Sequence, residues 1–196
     1  VDSTVKTSLT TTAIKEFEKE HRMDMIVLEG KHDSSFWTPE SSNLDIINHV
    51  ECPVWIIPSE MNYEPYKQII YATDYNEEDI PNLKRLIAIT AQFKPHITAM
   101  HITDNHDFEE RIKTAGFTKI MQSKTEYDKL SFQLINEEDG KLADLLNDFA
   151  RKVKANLIVL MKENKPFFKR LFSSNPARKI IKNAAYPLLI FSEIDH

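Results

Sequence analysis

The end of the chain repeats a pattern that already occurs near its beginning. Residues 24–28 (DMIVL) are echoed by residues 156–160 (NLIVL), and residues 52–57 (CPVWII) are echoed by residues 186–191 (YPLLIF). The starting positions are offset by 132 and 134 residues, which is far longer than the period of a solenoid repeat. A period of this length corresponds to a whole α/β domain. The sequence therefore predicts one complete copy of such a domain, preceded by the rear half of another.

A polar segment separates the two predicted units. Residues 59–66 include Pro65 and lie between the end of one apolar run and the start of the next, which is typical of a linker. We therefore divide the chain into the rear half of a first copy at 1–58, the linker at 59–66 and a complete second copy at 67–196. We expect the front strands of the first copy to be missing from this chain or to be supplied by another molecule.

Composition restricts the kind of protein. The 196 residues are 41% hydrophobic, which is enough for a packed core. No stretch approaches the roughly 20 apolar residues that cross a bilayer, and the first residues lack the features of a signal peptide. Cys52 is the single cysteine, so an intrachain disulfide is impossible. We expect a cytoplasmic protein without membrane contact, in which Cys52 is a buried residue and not a nucleophile.

Charge is distributed unevenly along the chain. The formal net charge is −5, but residues 161–182 contain seven basic residues and one acidic residue, a local charge of +6. No helix-turn-helix or aromatic RNA-binding pattern accompanies this segment, so we expect no sequence-specific nucleic-acid binding. The same segment contains Phe167, Phe168, Leu171 and Phe172. These side chains either pack beneath the loop or form a lid or a partner surface.

Apolar periodicity predicts strands that alternate with helices. In the second copy the strands are predicted at 67–72, 96–102, 130–134, 157–160 and 188–191, and the helices at 79–93, 107–115, 139–152 and 177–184, with Gly116 as the cap of the second helix. Parallel neighbours need a crossover, which each helix supplies. The prediction is a doubly wound parallel five-stranded sheet of the flavodoxin-like order. Ligands of such sheets bind beyond the carboxyl ends of the strands.

Several segments together resemble the universal stress protein family. They are IIYATD at 69–74, AMHI at 99–102, ANLIVL at 155–160 and, after a long loop and a helix, YPLL at 186–189. The likeness covers residues 66–192 as a full domain and roughly residues 5–58 as the rear half of another. It implies the adenine nucleotide alpha hydrolase-like version of the flavodoxin-like fold. It also implies that the last strands of the two copies, at 54–57 and 188–191, associate with each other.

The resemblance also implies where a ligand would bind. In nucleotide-binding members, an acid after the first strand contacts the adenosine and a glycine-rich loop after the fourth strand wraps the phosphates, where glycine lets backbone N–H groups approach the anion. Asp74 matches the acid. The four loop positions fall on Met161, Asn164, Ser174 and Asn175, and none of them is glycine. The candidate contact residues are Ala72, Asp74, His101, Met161, Lys162, Asn164, Lys165, Ser174 and Asn175.

Two functions follow from these residues. The favoured one is a non-enzymatic binding and interaction module of the stress response, which has no cofactor and acts through self-association or unknown protein partners. The alternative is a protein that binds ATP or AMP, with weak or no hydrolysis. It would use Asp74 and the side chains of the basic loop, among them Lys162 and Lys165, in place of the glycine backbone.

Other reactive residues carry weaker signals. His101 and His106, with two nearby aspartates, have a spacing that fits no strong zinc signature, so we predict no metal site. His32 and Asp33 precede two serines, but no nucleophile elbow is present, so we predict no catalytic residue.

Overall fold

The computed structural model describes residues 3–5, 10–30, 42–59, 61–103, 108–137, 142–162 and 186–192. Four of the predicted site residues, Asn164, Lys165, Ser174 and Asn175, lie outside these ranges, as does the helix predicted at 177–184.

Helices and strands alternate along the described residues. In chain order they are α1 (Thr10–Glu20), β1 (Ile26–Gly30), α2 (Ser42–His49), β2 (Val54–Pro58), β3 (Gln68–Ala72), α3 (Asp79–Thr90), β4 (His96–Thr103), α4 (Phe108–Thr125), β5 (Leu130–Asn136), α5 (Leu142–Val153), β6 (Leu157–Met161) and β7 (Leu188–Phe191).

The strands form one sheet in the order β1-β2-β7-β6-β3-β4-β5. Neighbouring strands are parallel except β2 and β7, which pair antiparallel with Trp55 opposite Leu189. The doubly wound α/β class is confirmed, and the sheet has seven strands where five were predicted for the second copy alone. The sheet has seven strands because β7 pairs with β2 and is not left as an open edge. The interpretation of β1 and β2 as part of a second copy stays a prediction.

Both faces of the sheet are covered, which explains the continuous apolar strands. On one face Ile70 and Ala72 of β3 pack in a core with α2 and α5, and on the other face Ile69 and Tyr71 pack with α3 and α4. Each fully buried large side chain stabilises the fold by about 1.5–3 kcal/mol relative to an exposed one. Alternate residues of β3 thus join the two halves of the core.

Gly116 does not end a helix, contrary to its predicted role as a cap. Helix α4 continues through it to Thr125. The turn beyond the glycine carries Met121, which is fully buried in the core. Packing of this later turn outweighs the cost of about 1 kcal/mol for a glycine within a helix.

The end of the segment predicted as a linker is hydrogen-bonded by Asn156. Asn156, just before β6, accepts hydrogen bonds through Oδ1 from the backbone N–H groups of Lys67 and Gln68 at 3.1 and 3.2 Å. Its Nδ2 donates to the Pro65 carbonyl at 2.8 Å. These bonds fix where the chain enters β3.

Glu18 of α1 fixes the entrance to β2 in a similar way. Its Oε1 accepts the backbone N–H groups of Glu51 and Cys52 at 2.9 and 2.8 Å. Cys52 is buried, as predicted, and its burial, followed by its contact with Glu18, raises the pKa of the thiol from 9.0 to about 12.

This raised pKa predicts a stability that depends on alkaline pH. The folded state retains the Cys52 proton where the unfolded state loses it, so this contribution is complete below pH 9 and is lost as the pH rises towards 12. Between pH 9 and 10, urea unfolding should show the wild type losing stability more steeply than Cys52→Ala, by up to about 1.4 kcal/mol per pH unit. Equal slopes for the two proteins would contradict the shift.

Candidate functional site: a groove at the carboxyl edge of the sheet

The loop between β3 and α3 is held by one buried carboxylate. Asp79, in the first turn of α3, is only 2% exposed. It accepts hydrogen bonds from the Tyr71 hydroxyl at 2.7 Å, from the Thr73 hydroxyl at 2.7 Å and from the Asn76 backbone N–H at 2.9 Å. The position at a helix N-terminus also favours the negative charge. These bonds close the loop around Asp74 and Tyr75.

Tyr75 is fixed in an uncommon backbone conformation. Its φ of 58° lies in the left-handed region, which costs a tyrosine of the order of 1–3 kcal/mol. Its N–H donates to the Thr73 hydroxyl at 2.9 Å, and its ring lies against His101 and Phe117 with centroid distances of 4.2 and 4.7 Å. Its hydroxyl forms a hydrogen bond of 2.9 Å with the Thr114 hydroxyl on α4, and burial raises the pKa of the Tyr75 hydroxyl. Tyr75 thus joins the loop to α4.

His101, near the end of β4, lies between two carboxylates. Its Nδ1 donates to the Thr73 carbonyl at 2.7 Å and lies 3.7 Å from Asp74 Oδ1. Its Nε2 lies 3.4 Å from Glu110 Oε1 of α4. All three side chains are largely buried, which strengthens their electrostatic interactions.

These residues form the inner end of a groove of about 1380 Å³ between α3 and α4. Its lining combines apolar side chains of both helices with charged residues. Its lining includes Asp74, Tyr75, Glu77, Glu78, His101, Glu110, Ile112, Lys113, Gly116, Ile120 and Lys124.

The structure places some of the predicted site residues at the groove and others in the core. It brings Asp74 and His101 together at the groove, whereas Ala72 is buried in the core on the opposite face of the sheet, which α2 and α5 cover. Met161 is buried at the end of β6. Lys162 follows it, also buried, and its ammonium donates to the Val50 carbonyl at 2.6 Å. The role of each residue as a ligand contact stays a prediction.

Three residues of the site were missed in the sequence. Tyr75 directly follows the predicted acid, and Asp79 begins a predicted helix, so both carried a local signal. Glu110 carried none, because its approach to His101 depends on how α4 packs over β4.

The described part of the chain shows neither a metal site nor a membrane-spanning helix. There, no group of three or more histidine, cysteine, aspartate or glutamate side chains is arranged to hold a metal ion. No helix in these ranges is long and apolar enough to cross a membrane.

Fold and groove together define a doubly wound α/β protein with a ligand-sized groove at the carboxyl edge of its sheet. The chain belongs to the universal stress protein family, because the model of that family matches residues 65–192. The resemblance inferred from the sequence is thereby confirmed. The universal stress protein MJ0531 of Methanocaldococcus jannaschii is 26% identical over 138 residues, which are 64% of this chain and 81% of that protein.

Solved structures agree with the fold. A universal stress protein from Archaeoglobus fulgidus superposes with a TM-score of 0.72 at 12% identity over 94% of this chain, and the chain spans 66% of the length of that protein. A putative universal stress protein from Pseudomonas aeruginosa gives a TM-score of 0.62 at 17% identity, covering 95% of this chain and 69% of its own. At these identities the likeness shows the fold alone.

Proposed function

We propose that the protein is a non-catalytic binding and interaction module of the stress response that lacks a backbone cradle for ATP phosphates. The observation that carries this proposal is that both the backbone N–H and the ammonium of Lys162 already donate hydrogen bonds within the protein. Its backbone N–H donates to the Phe191 carbonyl at 2.6 Å, and its ammonium donates to the Val50 carbonyl at the same distance. Where the family's phosphate loop would begin, the main-chain donor is therefore already engaged in holding the sheet.

Electrostatics of the groove support the same proposal. Asp74 and Glu110 flank His101 at the inner end, and Glu77 and Glu78 lie at the rim. These four carboxylates outnumber the two lysines that line the groove, Lys113 and Lys124, so they disfavour a phosphate chain and favour neutral or cationic groups that donate hydrogen bonds. The groove therefore suits the side chains of a protein or the neutral part of a small molecule better than a triphosphate.

Binding of an adenine nucleotide is a second candidate. It is supported by the position of Asp74 beside His101 and the Tyr75 ring, in a groove large enough for a nucleoside. A universal stress protein solved in complex with cAMP shares the fold, with a TM-score of 0.50 and 16% identity over 67% of this chain and 100% of its own. In this candidate the base and ribose occupy the groove and the phosphates point out of it.

Calorimetric titration separates the two candidates. With ATP and magnesium we expect no binding heat up to millimolar nucleotide, because neither glycine backbone nor a free Lys162 N–H is available at the end of β6. Micromolar binding of ATP would contradict the proposal. If that binding were lost in Asp74→Asn but kept in Glu77→Gln, an exposed matched control on the same loop, the nucleotide candidate would take its place.

A further inference from the structure

One side of α4 exposes a row of apolar residues. Phe108, Ile112 and Ile120 are 73%, 55% and 51% exposed, although most large apolar side chains of the described residues are at least partly buried. With Gly116 they are spaced four residues apart, so they follow one another along the helix. Contiguous apolar patches on a protein surface are typical of sites that bind a partner or a ligand. The middle and end of the row, from Ile112 to Ile120, line the groove.

Gly116 makes a notch in this row. A β-carbon added there would meet nothing within 4 Å, so the space between Ile112 and Ile120 is open. From Ile112 to Lys124 the α4 wall extends for roughly 18 Å at 1.5 Å per residue. Small-molecule sites measure about 300–1,000 Å³, and this groove, at about 1380 Å³, is larger. Its shape suits an elongated occupant with a large apolar side chain that enters the notch.

The two walls of the groove carry opposite charges. Lys113, which is 62% exposed, and Lys124 are the exposed charges of the α4 wall, and Lys113 lies 3.6 Å from the nearly buried Glu110 of the same helix. Glu77 and Glu78 line the wall at the start of α3. An occupant that complements both walls needs acidic groups on one flank and basic groups on the other. An anionic membrane surface complements only the α4 wall, and a flat bilayer cannot enter a groove.

We propose that this groove binds an amphipathic helix of a partner protein. Apolar residues spaced three or four apart on that helix pack between Ile112 and Ile120, and one of them enters the notch at Gly116. Its acidic flank faces Lys113 and Lys124, and its basic flank faces the acids at the start of α3. This inference rests on the proposed function as an interaction module and names the kind of partner.

Synthetic peptides test the charge pattern. We would measure fluorescence anisotropy with three labelled helical peptides that share a leucine ridge and carry one acidic and one basic flank, two acidic flanks or two basic flanks. The mixed peptide should bind at least tenfold more tightly than the other two. In the double variant Lys113→Glu, Lys124→Glu both walls are acidic, so the preference should change to the peptide with two basic flanks.

Substitutions at Gly116 test the notch. Gly116→Leu should weaken binding of the mixed peptide at least tenfold because its side chain fills the notch, whereas Gly116→Ala should retain most of the binding. Both variants should unfold at the same or a higher temperature than the wild type, since alanine and leucine favour a helix more than glycine does. Loss of binding would therefore not reflect unfolding.

Three results would overturn the inference: equal or absent binding of all three peptides, no effect of Gly116→Leu, or stronger association with phosphatidylglycerol vesicles than with the mixed peptide. Failure here remains separate from failure of the proposed function. Absent peptide binding together with absent ATP binding would reject only this groove as the partner surface. Micromolar ATP binding would reject the proposed function whatever the peptides do.

Discussion

Replacing Asp79 by alanine is expected to lower the free energy of unfolding by about 3 kcal/mol or more. The substitution removes the acceptor of three hydrogen bonds, and the Tyr71 and Thr73 hydroxyls that donate two of them are buried. Buried donors left without an acceptor cost about 1–3 kcal/mol each. Urea denaturation followed by far-ultraviolet circular dichroism measures the effect.

Asp144→Ala provides the matched control. Asp144 also lies in the first turn of a helix, α5, but its side chain is exposed. Its removal should cost only the interaction with the helix dipole, about 0.3–1 kcal/mol. If Asp79→Ala cost no more than this control, the hydrogen bonds around Asp79 would not support the loop as we describe.

The same variant should loosen the groove. Without Asp79 the loop that carries Asp74 and Tyr75 loses its side-chain attachment to α3 and keeps only backbone hydrogen bonds to it, which weakens the support for the left-handed conformation of Tyr75. Backbone amides from 73 to 76 should then exchange hydrogen faster than they do in the wild type, whereas the exchange rates of β5 should not change. Asp79 is thus expected to position the site without contacting a ligand.

Much of the fold could be predicted because it depends on simple patterns. Short apolar strands without alternation require cover on both faces, and helices between them require parallel neighbours. The repeat also indicated that residues 54–57 and 188–191 occupy equivalent positions at the ends of their units, and β2 and β7 lie side by side in the sheet. These features are set by periods of two and about 3.6 residues, which are visible in any single sequence.

The site was less predictable because it depends on tertiary geometry. Asp74 follows β3 and His101 lies near the end of the neighbouring parallel strand β4, so their proximity is a consequence of topology. Glu110 reaches His101 from α4, and no local pattern sets that distance. Only the nucleotide-binding alternative placed Lys162 on phosphates. The direction of a lysine side chain depends on which acceptor lies within reach, and here it is the Val50 carbonyl.

Lys162→Glu is expected to destabilise the fold by about 3–5 kcal/mol, because it places an unpaired anion in a buried position. Val50 directly follows α2, so its carbonyl belongs to the negative end of that helix, where a cation is favourable and an anion is not. The measurement is urea unfolding, combined with hydrogen exchange of α2 and β2, whose amides should lose protection first.

Two further variants serve as controls for Lys162→Glu. Lys162→Met keeps most of the buried chain and removes the charge together with its desolvation cost, so we expect a loss of less than about 2 kcal/mol. Lys152→Glu makes the same charge change at an exposed position in the last turn of α5, where it affects only the interaction with the helix dipole, and should cost less than about 2 kcal/mol. If Lys162→Glu were as mild as Lys152→Glu, the ammonium would not be fixed on Val50 in solution. The ammonium would then be available to an anion at the end of β6. That result would support nucleotide binding, because Lys162 could contact a phosphate.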